Sequence, residues 1–178
     1  MIARTVDGCY AQALFDAARD SQVDEQVDQD LAVLAGQLAD NEEFRRLLLG
    51  RALSINEKKD LLAKAFVSFQ QITLNCLYLV VDKGREQWLP RIIDSFHAIF
   101  CEAHGILVAE LITYQPADDD LKKRLAAFLA DKYGRNVEFT CRTDSSLLGG
   151  AVIKTGDQVF DLSLAKQFAL IRRQLLEA

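Results

Sequence analysis

The hydrophobic period first departs from that of a helix at Gly105, and that change restricts the possible folds of this chain more than any other feature. Before Gly105 apolar residues recur three and four positions apart, the spacing of one helix face; beyond it they alternate or form short β-branched runs, the spacing of strands. In the first part, Val6, Tyr10, Ala13, Leu14 and Ala17 form one stripe and Ala11, Phe15 and Ala18 a second beside it. Val27, Leu31, Leu34 and Leu38 predict a second helix. Asn41 is placed to cap a third, with Glu42 and Glu43 in its first turn and Gly50 after it. Ser54 and Glu57 make a capping box that opens a helix burying Leu61, Leu62, Ala65 and Phe66. A fifth helix spans about 70–83 and ends at Gly84; Pro90 suits the first turn of a sixth, which carries Ile93, Phe96, Phe100 and Ala103.

The remaining residues predict a different unit. Ile106 to Tyr114 has strand length and composition, and Asp118, Asp119 and Asp120 favour a helix start before the apolar face of Leu121, Leu125, Phe128 and Leu129. Val137, Phe139 and Cys141 alternate with polar residues as in a half-buried strand, and two short strands are expected at 151–154 and 158–160. A closing helix keeps Leu164, Phe168, Ile171 and Leu175 in one stripe. The expected architecture is therefore α+β overall: a six-helix bundle over 1–105 followed by a small α/β domain over 106–178.

Charge narrows the partners. The chain of 178 residues carries 21 basic and 26 acidic side chains, a net charge of −5, which argues against nucleic acid and anionic membranes as electrostatic partners. Residues 1–40 hold eight acids against Arg4 and Arg19, whereas 105–178 hold ten charges of each sign. The four cysteines have no CxxC spacing and are expected as buried, reduced thiols. No secretory peptide is visible and no apolar run approaches the ~20 residues of a membrane span, so a cytoplasmic protein is expected.

Catalytic patterns are sparse. His97, Cys101 and His104 stand at i, i+4 and i+7 on one helix, a spacing compatible with zinc ligands, but they lack a fourth ligand and flank an apolar stripe; no metal is expected. Gly149, Gly150 and Gly156 do not make a phosphate loop, because they flank a strand and Asp157 follows Gly156; turn geometry accounts for them better. Asp157 and Asp161 read as turn and cap residues. The first and fifth helices, by contrast, have more apolar surface than one core contact uses. Either both sit centrally in the bundle, or their second faces form a groove for an amphipathic helix.

Three segments resemble the delta subunit of F-type ATP synthases, the family of the mitochondrial oligomycin-sensitivity-conferring protein. Tyr10-Ala11-Gln12-Ala13-Leu14-Phe15-Asp16-Ala17-Ala18 is similar to its opening helix, and Lys83-Gly84-Arg85 with Leu89-Pro90 and Ile92 to its turn between helices five and six. Asp144 to Gly150, then Gly156, Asp157, Val159, Asp161 and Ser163, resembles its C-terminal signature, with Leu164-Ala165 where Val-Arg is common. The resemblance implies a non-catalytic stator without cofactor or metal, one copy per complex, peripheral to the cytoplasmic face of the bacterial inner membrane. It implies that the helical domain grips alpha-subunit N-termini between helices one and five, with Tyr10, Ala13, Leu14, Ala17, Leu77 and Val81 as groove residues, and that the C-terminal domain binds the b subunits. Asp144, Gly149, Gly150, Gly156, Asp157 and Asp161 are expected to shape turns and caps there. A regulatory adaptor that binds another amphipathic helix is the alternative, and a small enzyme using His97, Cys101 and His104 a third.

Overall fold

A computed structural model describes residues 5–147, 149–155, 158–164, 166 and 168. Gly156, Asp157, Ile171 and Leu175 lie outside the described residues. The chain divides into two compact units, Met1–Phe100 and Cys101–Ala178, so the division falls inside the sixth helix rather than at Gly105.

The first unit contains helices α1 (Val6–Asp20), α2 (Asp24–Asp40), α3 (Glu42–Leu49), α4 (Ile55–Ala65), α5 (Gln71–Asp82) and, after a 3-10 turn at Glu86–Trp88, the start of α6 (Leu89–Ala103). Local signals set most of the ends. The Asn41 carboxamide accepts from the Phe44 amide at 2.9 Å, and Ser54 and Glu57 close both halves of their capping box. On α2 the expected stripe is the buried one: Val27, Leu31, Leu34 and Leu38. Aromatic edges lock the core, with Phe15 against Phe96 at 6.0 Å and Phe44 against Phe66 at 5.7 Å. Leu62 and Phe66 are buried as expected, but Ala65 and Ala103 are exposed.

Two polar contacts across the bundle have no counterpart in the local sequence pattern. The Lys58 ammonium, buried, donates to Glu86 Oε1 and to the Gly50 carbonyl, each at 2.8 Å, tying α4 to the chain before and after it. Removing either partner leaves a buried charge unpaired, which costs far more than the pair contributes. The second involves α5, whose first residue position has no side-chain cap of its own. Asp30 of α2 supplies the cap, accepting from the Gln70 amide at 2.7 Å and the Thr73 hydroxyl at 2.8 Å.

The second unit is a four-stranded mixed sheet in the order β2-β1-β3-β4, where β1 is Leu107–Thr113, β2 Val137–Thr143, β3 Ala151–Thr155 and β4 Gln158–Asp161. Helix α7 (Asp119–Tyr133) connects the parallel pair β1 and β2, as a parallel crossover requires. β3 runs antiparallel to both β1 and β4. Ala109, Leu111, Leu129, Ala151 and Ile153 form the core, with Val137, Phe139 and Phe160 packed against it. β2 is an edge strand, and its expected inward residue Cys141 is exposed, as is Cys9 on α1; only Cys101 is fully buried.

Candidate functional site

Along α1 the residues divide into two stripes with different fates. Ala11, Leu14, Phe15 and Ala18 are buried in the bundle, while Ala13 and Ala17 are exposed and Tyr10 is half-buried. Helix α5 divides in the same way: Thr73, Leu77, Val80 and Val81 are buried, whereas Ile72 and Cys76 are half-buried and Leu79 is 47% exposed. The outward stripes face each other across a cleft of about 310 Å³, lined by Tyr10, Ala13, Leu14, Ala17, Ile72, Asn75, Cys76 and Leu79. Both walls follow the same i, i+3, i+4, i+7 spacing. Small side chains at 13 and 17 leave its α1 wall low.

The cleft brings together the four α1 residues singled out from sequence but not the two on α5. Leu77 and Val81 are 2% and 0% exposed and belong to the core, so the expectation for that wall is corrected to Ile72, Asn75, Cys76 and Leu79. Helical phase is the reason: Leu77 and Val81 share the face of Thr73, which turns inward to reach Asp30. Asn75 is the one polar residue of the outward stripe and is the signal that could have separated the two. Cys76 lies among apolar walls, and desolvation pushes its thiol up to about 11, away from the reactive thiolate. At one end of the cleft Arg85 donates to the Tyr10 hydroxyl at 3.0 Å with its guanidinium 5.6 Å from the ring centre. Two of the segments that carried the family resemblance thus meet in one contact.

In the second unit the signature residues build a clasp. The Asp144 carboxylate accepts from the Ser146 amide at 2.9 Å, and Asp161 accepts from the Ser163 amide at 3.0 Å. Hydrogen bonding by the Ser146 and Ser163 side chains first, and by these backbone amides second, holds the two carboxyls below their ordinary value of 3.8. The Leu164 amide donates to the Gly149 carbonyl at 3.0 Å and the Leu162 amide to the Ala151 carbonyl at 2.9 Å, pinning the end of the sheet to the segment after β4. Gly150 has φ +83°, and a Cβ there would strike the Leu162 carbonyl and lie 2.9 Å from the Ser163 Cα. Among the described residues of this signature, the hydrogen bonds run between carboxylates or carbonyls and backbone amides, so the residues hold backbone.

His97 and Cys101 each have an acidic neighbour. His97 Nδ1 is 3.0 Å from Asp28 Oδ1, joining α6 to α2. In the second unit the Cys101 thiol points at Glu138 from 4.0 Å.

The chain matches the family described as ATP synthase delta (OSCP) subunit over residues 6–175. It belongs to the ATP synthase delta/OSCP family. The delta subunit of the Moorella thermoacetica ATP synthase is 32% identical over 95% of each chain, and that of Desulforamulus reducens 34% identical over 94% of this chain and 93% of the relative. A chain in the cryo-EM structure of the Toxoplasma gondii mitochondrial ATP synthase hexamer superposes with a TM-score of 0.76 at 29% identity, over 97% of this chain and 98% of that one. This delta/OSCP chain is accordingly a non-catalytic component of the peripheral stalk of an ATP synthase. Among the described residues no helix is long and apolar enough to cross a membrane.

Proposed function

We propose that the cleft between α1 and α5 holds the N-terminal helix of an alpha subunit, and that the Cys101–Ala178 unit holds the ends of the membrane-anchored b subunits. One copy then ties the catalytic head to the stalk at the cytoplasmic face of the bacterial inner membrane and resists rotor torque. The observation that carries this reading is the unburied apolar stripe on both helices. Ala13, Ala17 and Leu79 are exposed at equivalent spacing, a surface that water disfavours and that an amphipathic helix covers. Each leucine a partner inserts contributes about 1.5–3 kcal/mol of burial before ordering costs are subtracted, so a few anchors suffice for a durable grip. In the second unit, exposed Phe128, Val159 and Phe168, at 56%, 60% and 62%, support a further protein contact.

The test is titration calorimetry of the full chain with a peptide of the cognate alpha subunit's N-terminal segment, repeated with Ala13→Trp and Ala17→Trp. Both positions are exposed, so the variants are expected to melt as the wild type does while a tryptophan fills the cleft and abolishes binding. Unchanged affinity in a variant of native melting temperature counts against this site.

A further inference from the structure

The floor of the α1/α5 cleft is apolar, and the charges at its two ends differ: cations outnumber acids at the Tyr10 end, where Asp7 accepts from the Ser95 hydroxyl at 3.3 Å, and acids outnumber cations at the Ala17 end. At the Tyr10 end, Arg85 is exposed, rests on the Tyr10 ring, and pairs with no carboxylate among the described residues. Lys83 beside it likewise has no ion-pair partner there, and the neighbouring acid Asp82 is already bound to Lys59. At the Ala17 end the lip is acidic. Asp16 and Asp20 follow Ala13 and Ala17 by three residues each, which puts them on the outer edge of the same face. Asp16 accepts only the Gln12 amide, and Asp20 has no cation partner among the described residues. Arg19, the cation of α1, is exposed beside them, its guanidinium 5.7 Å from the centre of the Phe15 ring, so the two acids outnumber it at this end.

We infer that the cleft reads the charge polarity of its occupant: a docked amphipathic helix lies with its acidic end on Arg85 and Lys83 and its basic end on Asp16 and Asp20. This rests on the proposed occupancy of the cleft by a partner helix. Rim charges of this kind fix orientation and hasten encounter more than they add affinity. Helices in general carry acids in the first turn and bases in the last, complementing their own dipole. Since Tyr10, near the start of α1, meets Arg85, just past the end of α5, the occupant runs in the direction of α1 and opposite to α5.

The experiment uses two synthetic peptides of about 20 residues, roughly 30 Å of helix, with identical apolar stripes. One has glutamates in its first two turns and lysines in its last two; the other has these exchanged. Each carries a nitroxide at its N-terminus and is added to the full, isotope-labelled chain. With the first peptide the amide signals of Tyr10, Lys83 and Arg85 are expected to broaden; with the second, those of Ala17, Asp20 and Ile72. Broadening at the same end with both peptides overturns the inference while leaving the cleft occupied. Binding of neither overturns both this inference and the occupancy reading. Arg85→Gln is expected to weaken the first peptide about threefold, and to leave a version with glutamines for glutamates unchanged; an equal loss for that neutral version overturns the charge-reading role of Arg85.

Discussion

At the scale of single residues, Gly150 and the two signature aspartates carry the most testable consequences. Gly150→Val forces a β-branched side chain into a left-handed backbone at φ +83° and against the Leu162 carbonyl. The cost is expected to be at least about 2 kcal/mol, a fall of roughly 10 °C in the melting of the second unit, read by calorimetry. Asp144 and Asp161 give a pH dependence whose sign follows from their hydrogen bonds. Their folded pKa values lie below the ordinary 3.8, so the stabilisation is complete above the unfolded value and is lost as pH falls through the folded one. The melting temperature of wild type is expected to be flat above about pH 5 and to decline below about pH 4, and the decline is expected to be shallower in Asp144→Asn and Asp161→Asn. These roles were legible beforehand because a glycine pair and an aspartate two residues before a serine are local turn chemistry. The contact of Gly150 with residues 162 and 163 was not, since it joins segments separated by two strands.

At the scale of elements, α5 shows where sequence reading succeeds and where it stops. Its existence and ends follow from a continuous apolar run and Gly84, but its phase does not. The inward stripe contains Thr73 and the outward stripe Ile72 and Leu79, so hydrophobicity separates the two faces weakly, with Asn75 the one polar mark of the outward side, and the resemblance places Leu77 and Val81 on the wrong face. What fixes the phase is Asp30, a residue forty positions earlier, which gives the buried Thr73 hydroxyl and the free Gln70 amide a shared acceptor. Asp30→Ala therefore leaves a buried hydroxyl and a helix-end amide without a partner. The expected loss is about 1–3 kcal/mol in denaturant unfolding of the full chain, larger than the few tenths typical of a surface aspartate. Asp30→Asn keeps an acceptor and is expected to recover most of it. A loss below about 0.5 kcal/mol in Asp30→Ala excludes the cap as the determinant of helix phase. The Lys58–Glu86 pair was illegible for the same reason: a lysine within an apolar helix face gives no sign of the acid it will meet from a distant turn.

At the scale of the whole molecule, the proposed attachment of each unit to a different partner rests on different physics in the two units. The first leaves an apolar stripe on each of two helices uncovered, whereas the second spends its signature residues on backbone geometry and exposes aromatic and aliphatic side chains elsewhere. The switch of hydrophobic period announced this division, though it set the boundary at Gly105 while contacts divide the chain within α6. If the proposed division of labour holds, damage to one unit is expected to remove one attachment and spare the other. In the full chain, Gly150→Val is expected to abolish capture of a peptide from the C-terminal end of the b polypeptide and to leave affinity for the alpha-subunit peptide within about twofold, a change near 0.4 kcal/mol. Ala13→Trp is expected to do the reverse. Calorimetry with each partner segment on both variants provides the four values. A variant that loses both attachments while its undamaged unit still melts at the native temperature contradicts the division, because one surface is then shared by both partners. Loss of both together with that unit's melting transition also contradicts it, because folding of each unit then depends on the other.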